Sequence, residues 1–405
     1  MSALSLATID GGVSAPGGFG AAGVACGIKT SGAPDLSLLV CDRPATAAAV
    51  FTTNLAVAAP IVVSRENLER SGHRARAVVI NSGCANACTG ADGMEDARSM
   101  AALTAAAIGC ASRDVLVAST GVIGVKLDMT KVGGGISDAA RQVSAGGGGA
   151  AARAIMTTDP FPKEAAVEAT TGTAKFRVGG MAKGSGMIEP LMATMLGVLS
   201  TDAAVEPAVL QRALAVVVNE TFNAITVDGE CSTNDCVFLL ANGTSGVSIG
   251  EAEVPGFVAA LRAVCEPLAM GIVRGGEGAT KLITVRVTGA ASDREARRAA
   301  RAIANSPLVK TAVHGGDPNW GRLIAVAGRS GAAFLLDRAA VRIGPVLLFS
   351  DGAPFDERAG EAADYLQSRD IDIEVDLGTG GDGRSHMWTC DLSAEYVRIN
   401  AEYRT

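Results

Sequence analysis

Apolar and polar residues follow two different periods along this chain, and the changes of period mark its elements. Short aliphatic runs bounded by glycine turns predict strands over 36–40, 47–51, 61–63 and 77–81. The alanine-rich stretch 92–108 fits a helix, and 115–118 a short buried strand. Between Val132 and Ala152, GGG and GGGG tracts surround one short helical piece, a composition that predicts a flexible surface loop. Further on, helices are expected over 206–224 and 255–271, with strands at 236–241 and 281–288. Ser292 followed by Glu295 reads as a capping box for a helix over 293–305. Strands at 340–349 and 371–377 come next, and 378–383 reads as a hairpin turn leading into a strand over 384–390. Strands and helices interleave, so the expected fold class is mixed α/β.

Composition says what such an interior is made of. Of 405 residues, 48% are hydrophobic and only 4% aromatic, while 50 are glycine. Glycine without a collagen period, set among long apolar runs, excludes both fibre and disorder. It predicts tight turns and close approaches of backbone. A net charge of -7 with no basic cluster argues against nucleic acid and against an anionic membrane surface as partners. Lys29 is the first basic residue, so residues 1–28 lack both the basic start of a secretory leader and the arginines of a transit peptide. The most suggestive apolar stretch, 190–201, is too short to cross a bilayer. A cytoplasmic protein without a membrane partner is the expectation. Nine cysteines cannot all pair. Cys84 and Cys88 with Cys231 and Cys236 would offer four thiolates to zinc, but neither spacing is CxxC, and small buried thiols with no metal are expected.

Two familiar motifs fail on context. Gly378 to Gly383 matches GxGxxG, yet a strand-like segment follows it where dinucleotide binding needs the start of a helix. Gly246 to Gly250 matches GxSxG, but Pro255 interrupts the segment behind it, and His73, His314 and His386 are the only histidines.

The stretch from Gly179 to Leu196 does not fit a bland reading. Gly179, Gly180, Gly184 and Gly186 surround Lys183, and Pro190 leads to Thr194 among Met192, Met195 and Leu196. By itself Thr194 reads as a buried threonine at a strand start. In a chain so poor in histidine another chemistry gains weight. An amino-terminal threonine carries its own base, since an α-amine titrates near ~8 and accepts the hydroxyl proton. For Thr194 this requires cleavage of the Ala193–Thr194 bond: the hydroxyl attacks the preceding carbonyl, and water opens the resulting ester. The small Ala193 leaves that carbonyl accessible.

The run KGSGMIEPLMATMLGVLSTDA from Lys183 resembles the signature of the ornithine acetyltransferase family of arginine biosynthesis, the glutamate N-acetyltransferases. Co-linear likenesses span nearly the whole chain: NSGCANACTG from Asn81, STGVIG from Ser119, AIMTTD from Ala154 and DGECSTND from Asp228. They continue with EGATK from Glu277, SPLVKTAVHGGDPNWGR from Ser306 and EYVRINAEYRT from Glu395. The resemblance implies a precursor that cleaves itself into an α fragment, 1–193, and a β fragment, 194–405, associated as α2β2. It implies layered sheets and helices similar to amino-terminal-nucleophile hydrolases, with distinct connectivity. Thr194 is implied as the nucleophile, Thr120 and Gly121 as the oxyanion hole. Thr157, Lys183, Thr194, Glu277, Asn400 and Thr405 are implied substrate contacts, which would bring the carboxy terminus back to the site. The implied reaction is ping-pong transfer of an acetyl group from N-acetylornithine to glutamate, with no cofactor. Acetyl-CoA as a second acetyl donor stays an open alternative. Outside the resemblance, Ser119 to Gly121 would be an ordinary turn, Glu277 a solvated loop acid and Thr405 a frayed tail. The chain departs from the family pattern from Val125 to Met129, at Leu191 and at Arg404. Two other readings compete: a self-cleaving aminopeptidase that passes the acyl group to water, and a non-catalytic binding protein that retains the fold.

Overall fold

The structure is a computed structural model that describes residues 4–189 and 195–402. The chain divides into two compact units, one comprising Met1–Asn223 and Glu230–Ile272, the other Ala224–Gly229 and Val273–Arg404. In the first unit the chain forms β1 (Leu4–Thr8), β2 (Phe19–Val24), β3 (Leu36–Phe51), α1 (Ala59–Arg70), β4 (Arg74–Cys84) and α2 (Gly90–Ile108). It continues through β5 (Val115–Val122), α3 (Met129–Gln142), α4 (Gly148–Ala154), β6 (Lys163–Thr171), β7 (Ala174–Lys183), β8 (Leu196–Thr201), β9 (Ala204–Val205) and α5 (Pro207–Glu220). After β10 (Ile225–Thr226) of the second unit come β11 (Cys236–Ala241), β12 (Ser248–Ile249) and α6 (Val254–Arg274).

Among the described residues nine of these strands make one large sheet in the order β1-β6-β7-β8-β11-β3-β4-β5, with β2 also beside β3, while β9 and β12 pair with each other. Its centre is the 16-residue β3, which runs through both predicted strands, 36–40 and 47–51, without a break. The first half of β3 pairs with β2 and β4, the second with β11. By register alone, Leu36 beside Asn81 and Phe51 beside Cys236 stand at opposite ends of a ladder roughly 50 Å long at about 3.3 Å per residue. The chain does not stay straight. The register shifts between Val40 and Ala45, around Pro44, and the sheet folds over on itself there. Val78, Ile80 and Leu116 of one half therefore share a core with Val198, Phe238 and Leu240 of the other. The alternate residues Val79 and Val117 pack outward on Met100 of α2 and Ile136 of α3. On the opposite outer face, Gln211 of α5 exchanges hydrogen bonds with the Ala49 backbone, and Val264 and Leu268 of α6 stand over Gly180. Strands buried on both faces read as continuous apolar runs, which is why they were legible.

The expected fragments are not the compact units. β8, from the 194–405 segment, lies between β7 and β11 in the interior of the first unit's sheet.

Several expectations need correction. Residues 61–63 are helical, in α1: Ile61 faces the inner core and Val63 the α2 side, so apolar surroundings on two sides mimic a strand's pattern. The glycine tracts between Val132 and Ala152 fall within α3 and across the turn into the start of α4, not in a flexible loop. Their glycines answer to packing, since a Cβ on Gly147 would stand 1.8 Å from the Ala21 carbonyl oxygen. Gly147→Ala is expected to cost about 1–3 kcal/mol or more, read as a lower midpoint of urea unfolding; an unchanged midpoint would contradict the close packing. Among the described residues one helix, α6, is long and apolar enough to cross a membrane by length and composition, where no such stretch was expected. Half of its apolar window is buried, with Phe257, Leu261, Val264 and Leu268 at 1% exposure or less, so its face is committed to this protein's own core.

The second unit continues with β13 (Leu282–Ala290), α7 (Asp293–Ala304), α8 (Pro307–Gly315), α9 (Trp320–Gly328), β14 (Ala340–Ile343), β15 (Val346–Ser350) and β16 (Ala353–Pro354). Then come α10 (Ala359–Tyr365), β17 (Asp370–Asp376), β18 (Gly383–Cys390) and α11 (Ala394–Glu402). Its sheet order is β10-β18-β13-β17-β14-β15-β16. β17 and β18 flank β13, one parallel and one antiparallel to it, so 378–383 is a crossing loop and not a hairpin turn. Ser292 caps α7 by accepting from the Glu295 N–H at 3.3 Å, while the Glu295 carboxylate accepts from Ala333 N–H at 2.9 Å.

Candidate active site

Two parallel strands, β4 and β5, end side by side, with Ser82 opposite Thr120 and Gly83 opposite Gly121. Gly121 has φ +129°, and a Cβ there would stand 2.3 Å from the carbonyl carbon of Gly83. Only glycine fits that turn. Thr120 is buried, and its Oγ1 accepts from the Lys183 ammonium at 3.2 Å. Lys183 closes β7, pairs with Leu196 and is 3% exposed. The folded sheet thus brings together two residues that its hydrogen-bond register sets far apart.

Asp159 organises the other side of Lys183. Its Oδ2 accepts from the Thr157 N–H at 3.0 Å, and its Oδ1 from the Gly184 N–H at 2.8 Å and the Lys163 ammonium at 2.5 Å. The Asp159 side chain is fully buried. Burial alone would raise its pKa, but Lys183, Lys163 and the hydrogen bonds overcome this and bring it down to about 2. Burial pushes the Lys29 ammonium below its usual range, and Lys183 adds to the shift. The Asp159 carboxylate is thus flanked by two buried lysines.

Asp235 is the other buried acid of this region. It has no exposed surface, and burial raises its pKa well above the carboxylate range against the pull of the Met195 N–H and the Lys183 charge. It immediately precedes β11, whose Cys236 N–H bonds to the Met195 carbonyl at 3.3 Å.

In the second unit, Glu277 is 5% exposed and accepts from the Asn400 carboxamide at 2.8 Å. α11 folds back on the Glu277 loop, where Ser393 Oγ donates to the Gly278 carbonyl at 2.7 Å. Asp391 braces the same loop, accepting from Thr280 and Lys281 N–H and from Thr280 Oγ1, with His314 Nδ1 at 2.7 Å.

The structure therefore joins Thr120 to Lys183 directly, links Thr157 to the Lys183 turn through Asp159, and joins Glu277 to Asn400. Ala193, Thr194 and Thr405 lie outside the described residues, as do Leu191 and Arg404. Of the family departures, Lys126 is an exposed ion-pair partner of Asp92, and Val125 is 41% exposed. Asp159, Lys163, Asn234 and Asp235 were not singled out from the sequence, although three of them stand in the quoted AIMTTD and DGECSTND runs. Nothing but their position in those runs marked them.

Cys84 and Cys236 are buried, but Cys88 is exposed and Cys231 half-buried, so the expectation of four buried thiols fails for two. Cys88 sits in a bend before α2 at φ +58°. Among the described residues, no group of three or more His, Cys, Asp or Glu side chains is placed to hold a metal.

Buried ionisable groups converging on strand ends, with a glycine-only turn beside them, are what an α/β enzyme builds and a purely structural sheet avoids. The comparisons agree with that class. A profile of the ArgJ family matches residues 20–405. The chain is 50% identical to the arginine biosynthesis bifunctional protein ArgJ of Symbiobacterium thermophilum, over 98% of this chain and 99% of that one. It is 49% identical to the protein of the same name from a Synechococcus species, over 98% of each. A crystal structure of the ArgJ protein of Bacillus halodurans aligns with 44% identity and a TM-score of 0.48, covering 50% of this chain and 97% of that one. The chain belongs to the ArgJ family of arginine-biosynthesis enzymes.

Proposed function

We propose that this enzyme cleaves itself between Ala193 and Thr194 and then carries an acetyl group from N-acetylornithine to glutamate on Thr194. In the first reaction the Thr194 hydroxyl attacks the Ala193 carbonyl, the C–N bond breaks, and water hydrolyses the ester. The products are the Ala193 carboxylate and a free Thr194 amine. In the second reaction the Thr194 oxygen attacks the acetyl carbonyl while its own amine takes the proton. The negative oxygen is held by the Thr120 hydroxyl and the Gly121 N–H. Collapse expels ornithine, whose amine takes that proton, and the α-amine of glutamate then attacks the acetyl-threonine ester to give N-acetylglutamate.

The observation that carries the reading is the 3.2 Å bond from Lys183 to Thr120. It joins the motif leading to Thr194 with the proposed oxyanion motif. Because Lys183 donates into a lone pair of Thr120 Oγ1, the hydroxyl hydrogen is left to point elsewhere, as an oxyanion donor must. The Lys183 ammonium suits the carboxylate that donor and acceptor share. Glu277, steadied by Asn400, suits the ornithine ammonium, and Thr157 and Thr405 complete the proposed contacts. The two fragments are proposed to remain together as α2β2 in the cytoplasm, and no cofactor enters these steps. The word bifunctional in the relatives' names supports acetyl-CoA as a second acetyl donor to glutamate.

Purified enzyme given N-acetylornithine and glutamate is expected to form ornithine and N-acetylglutamate in equal amounts. Acetate without N-acetylglutamate would replace this reading with the hydrolytic, aminopeptidase-like one. No turnover, with one intact chain of 40.7 kDa on a denaturing gel, would favour the binding protein. Release of CoA from acetyl-CoA that depends on glutamate is the expected sign of the second donor.

A further inference from the structure

The segment from Ser232 to Asp235 lies on one half of the folded sheet and holds the end of the other half. Asn234 is 4% exposed, and its carboxamide nitrogen donates both hydrogens to main-chain carbonyls, Ala85 at 2.6 Å and Ser119 at 2.9 Å. Its Oδ1 accepts from Thr233 Oγ1 at 2.5 Å, which fixes which way the carboxamide faces. The segment is itself pinned: Thr52 Oγ1 donates to the Ser232 carbonyl at 2.8 Å, Ala58 N–H to the Thr233 carbonyl at 3.0 Å and Thr52 N–H to the Asp235 carbonyl at 2.9 Å. On the receiving side, Ser119 Oγ bonds to Asn81 Oδ1 at 2.5 Å, and Asn81 donates to the Cys84 carbonyl at 2.8 Å.

Ser119 immediately precedes Thr120, so its carbonyl belongs to the peptide that supplies the Thr120 N–H. β5 is the last strand of the sheet and pairs with β4 alone. Two residues after Asn234, Cys236 N–H bonds to the carbonyl of Met195, the residue that follows Thr194. A rigid, buried span therefore runs from the neighbour of the motif threonine to the turn at Thr120 and Gly121. The Lys183–Thr120 bond is a second, separate tie between the same two halves.

We infer that Asn234 is a positioning residue of the acetyl transfer, setting the distance between the Thr120–Gly121 turn and the strand start that follows Thr194. The inference rests on the acyl-transfer reading above. Asn234 touches no reacting atom; it acts through the Ser119 peptide. Among uncharged side chains only a carboxamide supplies two hydrogens from one atom to two carbonyls on different segments, and a carboxylate there would face both carbonyls with like charge. Without it, both carbonyls lose the Asn234 hydrogen bond inside the core, and with it a tie that holds the end of an edge strand. A misplacement on the order of 1 Å at a reacting centre costs roughly 10²-fold in rate.

The test compares wild type with Asn234→Ala and Thr233→Val, measuring kcat, the KM for N-acetylornithine and the thermal midpoint of each. Asn234→Ala is expected to lower kcat roughly 10²-fold while KM stays within about threefold. Thr233→Val, which only frees the carboxamide to turn, is expected to lower kcat roughly tenfold with a midpoint close to wild type. It decides the matter if the alanine variant does not accumulate. Values of kcat within about twofold of wild type in both variants, or a loss carried entirely by KM or by the folded fraction, would overturn the inference. The product made by wild type tests the transferase reading. The variant-to-wild-type ratio, taken with whichever acceptor wild type uses, tests Asn234.

Discussion

Thr194→Ala is expected to leave a single chain of 40.7 kDa on a denaturing gel where wild type gives two fragments divided at residues 193 and 194. Acetyl transfer from N-acetylornithine to glutamate should fall on the order of 10⁴–10⁶-fold, the scale at which loss of a nucleophile is felt. In the proposed mechanism both effects come from one atom, because the hydroxyl that opens the Ala193–Thr194 bond is the one that later carries the acetyl group. Thr194→Ser separates them from a folding defect. It keeps the hydroxyl and should still cleave and still turn over, more slowly. A cleaved Thr194→Ala protein would remove the self-cleavage mechanism, and full activity in that variant would remove Thr194 as the acyl carrier. Mass spectrometry of the fragments and an assay for N-acetylglutamate read the two results independently.

Asp159→Ala is expected to be the most damaging change away from the nucleophile. It leaves Lys163 and Lys183 buried without the carboxylate between them, and it frees the amides of Thr157 and Gly184. Breaking a buried charge pair from one side costs about 3–5 kcal/mol, read as a lower urea midpoint at pH 7. Activity should fall as well, since the bonds lost hold the Thr157 and Lys183 segments in place. The pH dependence has a definite sign. The folded-state pKa of Asp159, about 2, lies below the ~3.9 of a free aspartate. Its contribution is therefore complete above about pH 4 and is lost as pH falls through about 2. Wild type should lose stability across that window, and Asp159→Asn, with no carboxylate to titrate, should show a shallower slope. Equal slopes would mean that the lysines do not stabilise the charge at this position.

How much was legible depended on whether the signal was local. β11 appears at 236–241 as predicted because a strand buried on both faces has no polar face to obscure it. Ser292 caps α7 because capping is decided within one turn of chain. By contrast, 61–63 carries the β-branched residues of a strand and the burial of one, yet lies in α1, where two cores meet the same helix. The glycine tracts of α3 and α4 looked flexible because the carbonyl of Ala21, which forbids a side chain at Gly147, is far away in sequence.

The sequence by itself determined the family and the order of the motifs, because a long co-linear pattern constrains every segment at once. It also determined the fold class. It did not say that Lys183 meets Thr120, or that Asn234 reaches across to Ser119. In the ladder of hydrogen bonds those residues belong to opposite ends of β3, and only the turn of the sheet between Val40 and Ala45 cancels that separation. A bend of that kind depends on what packs inside it, here Val78, Ile80 and Leu116 against Val198, Phe238 and Leu240. Burial of that shared face is a property of the folded chain as a whole, and so the geometry of the site was decided by tertiary structure.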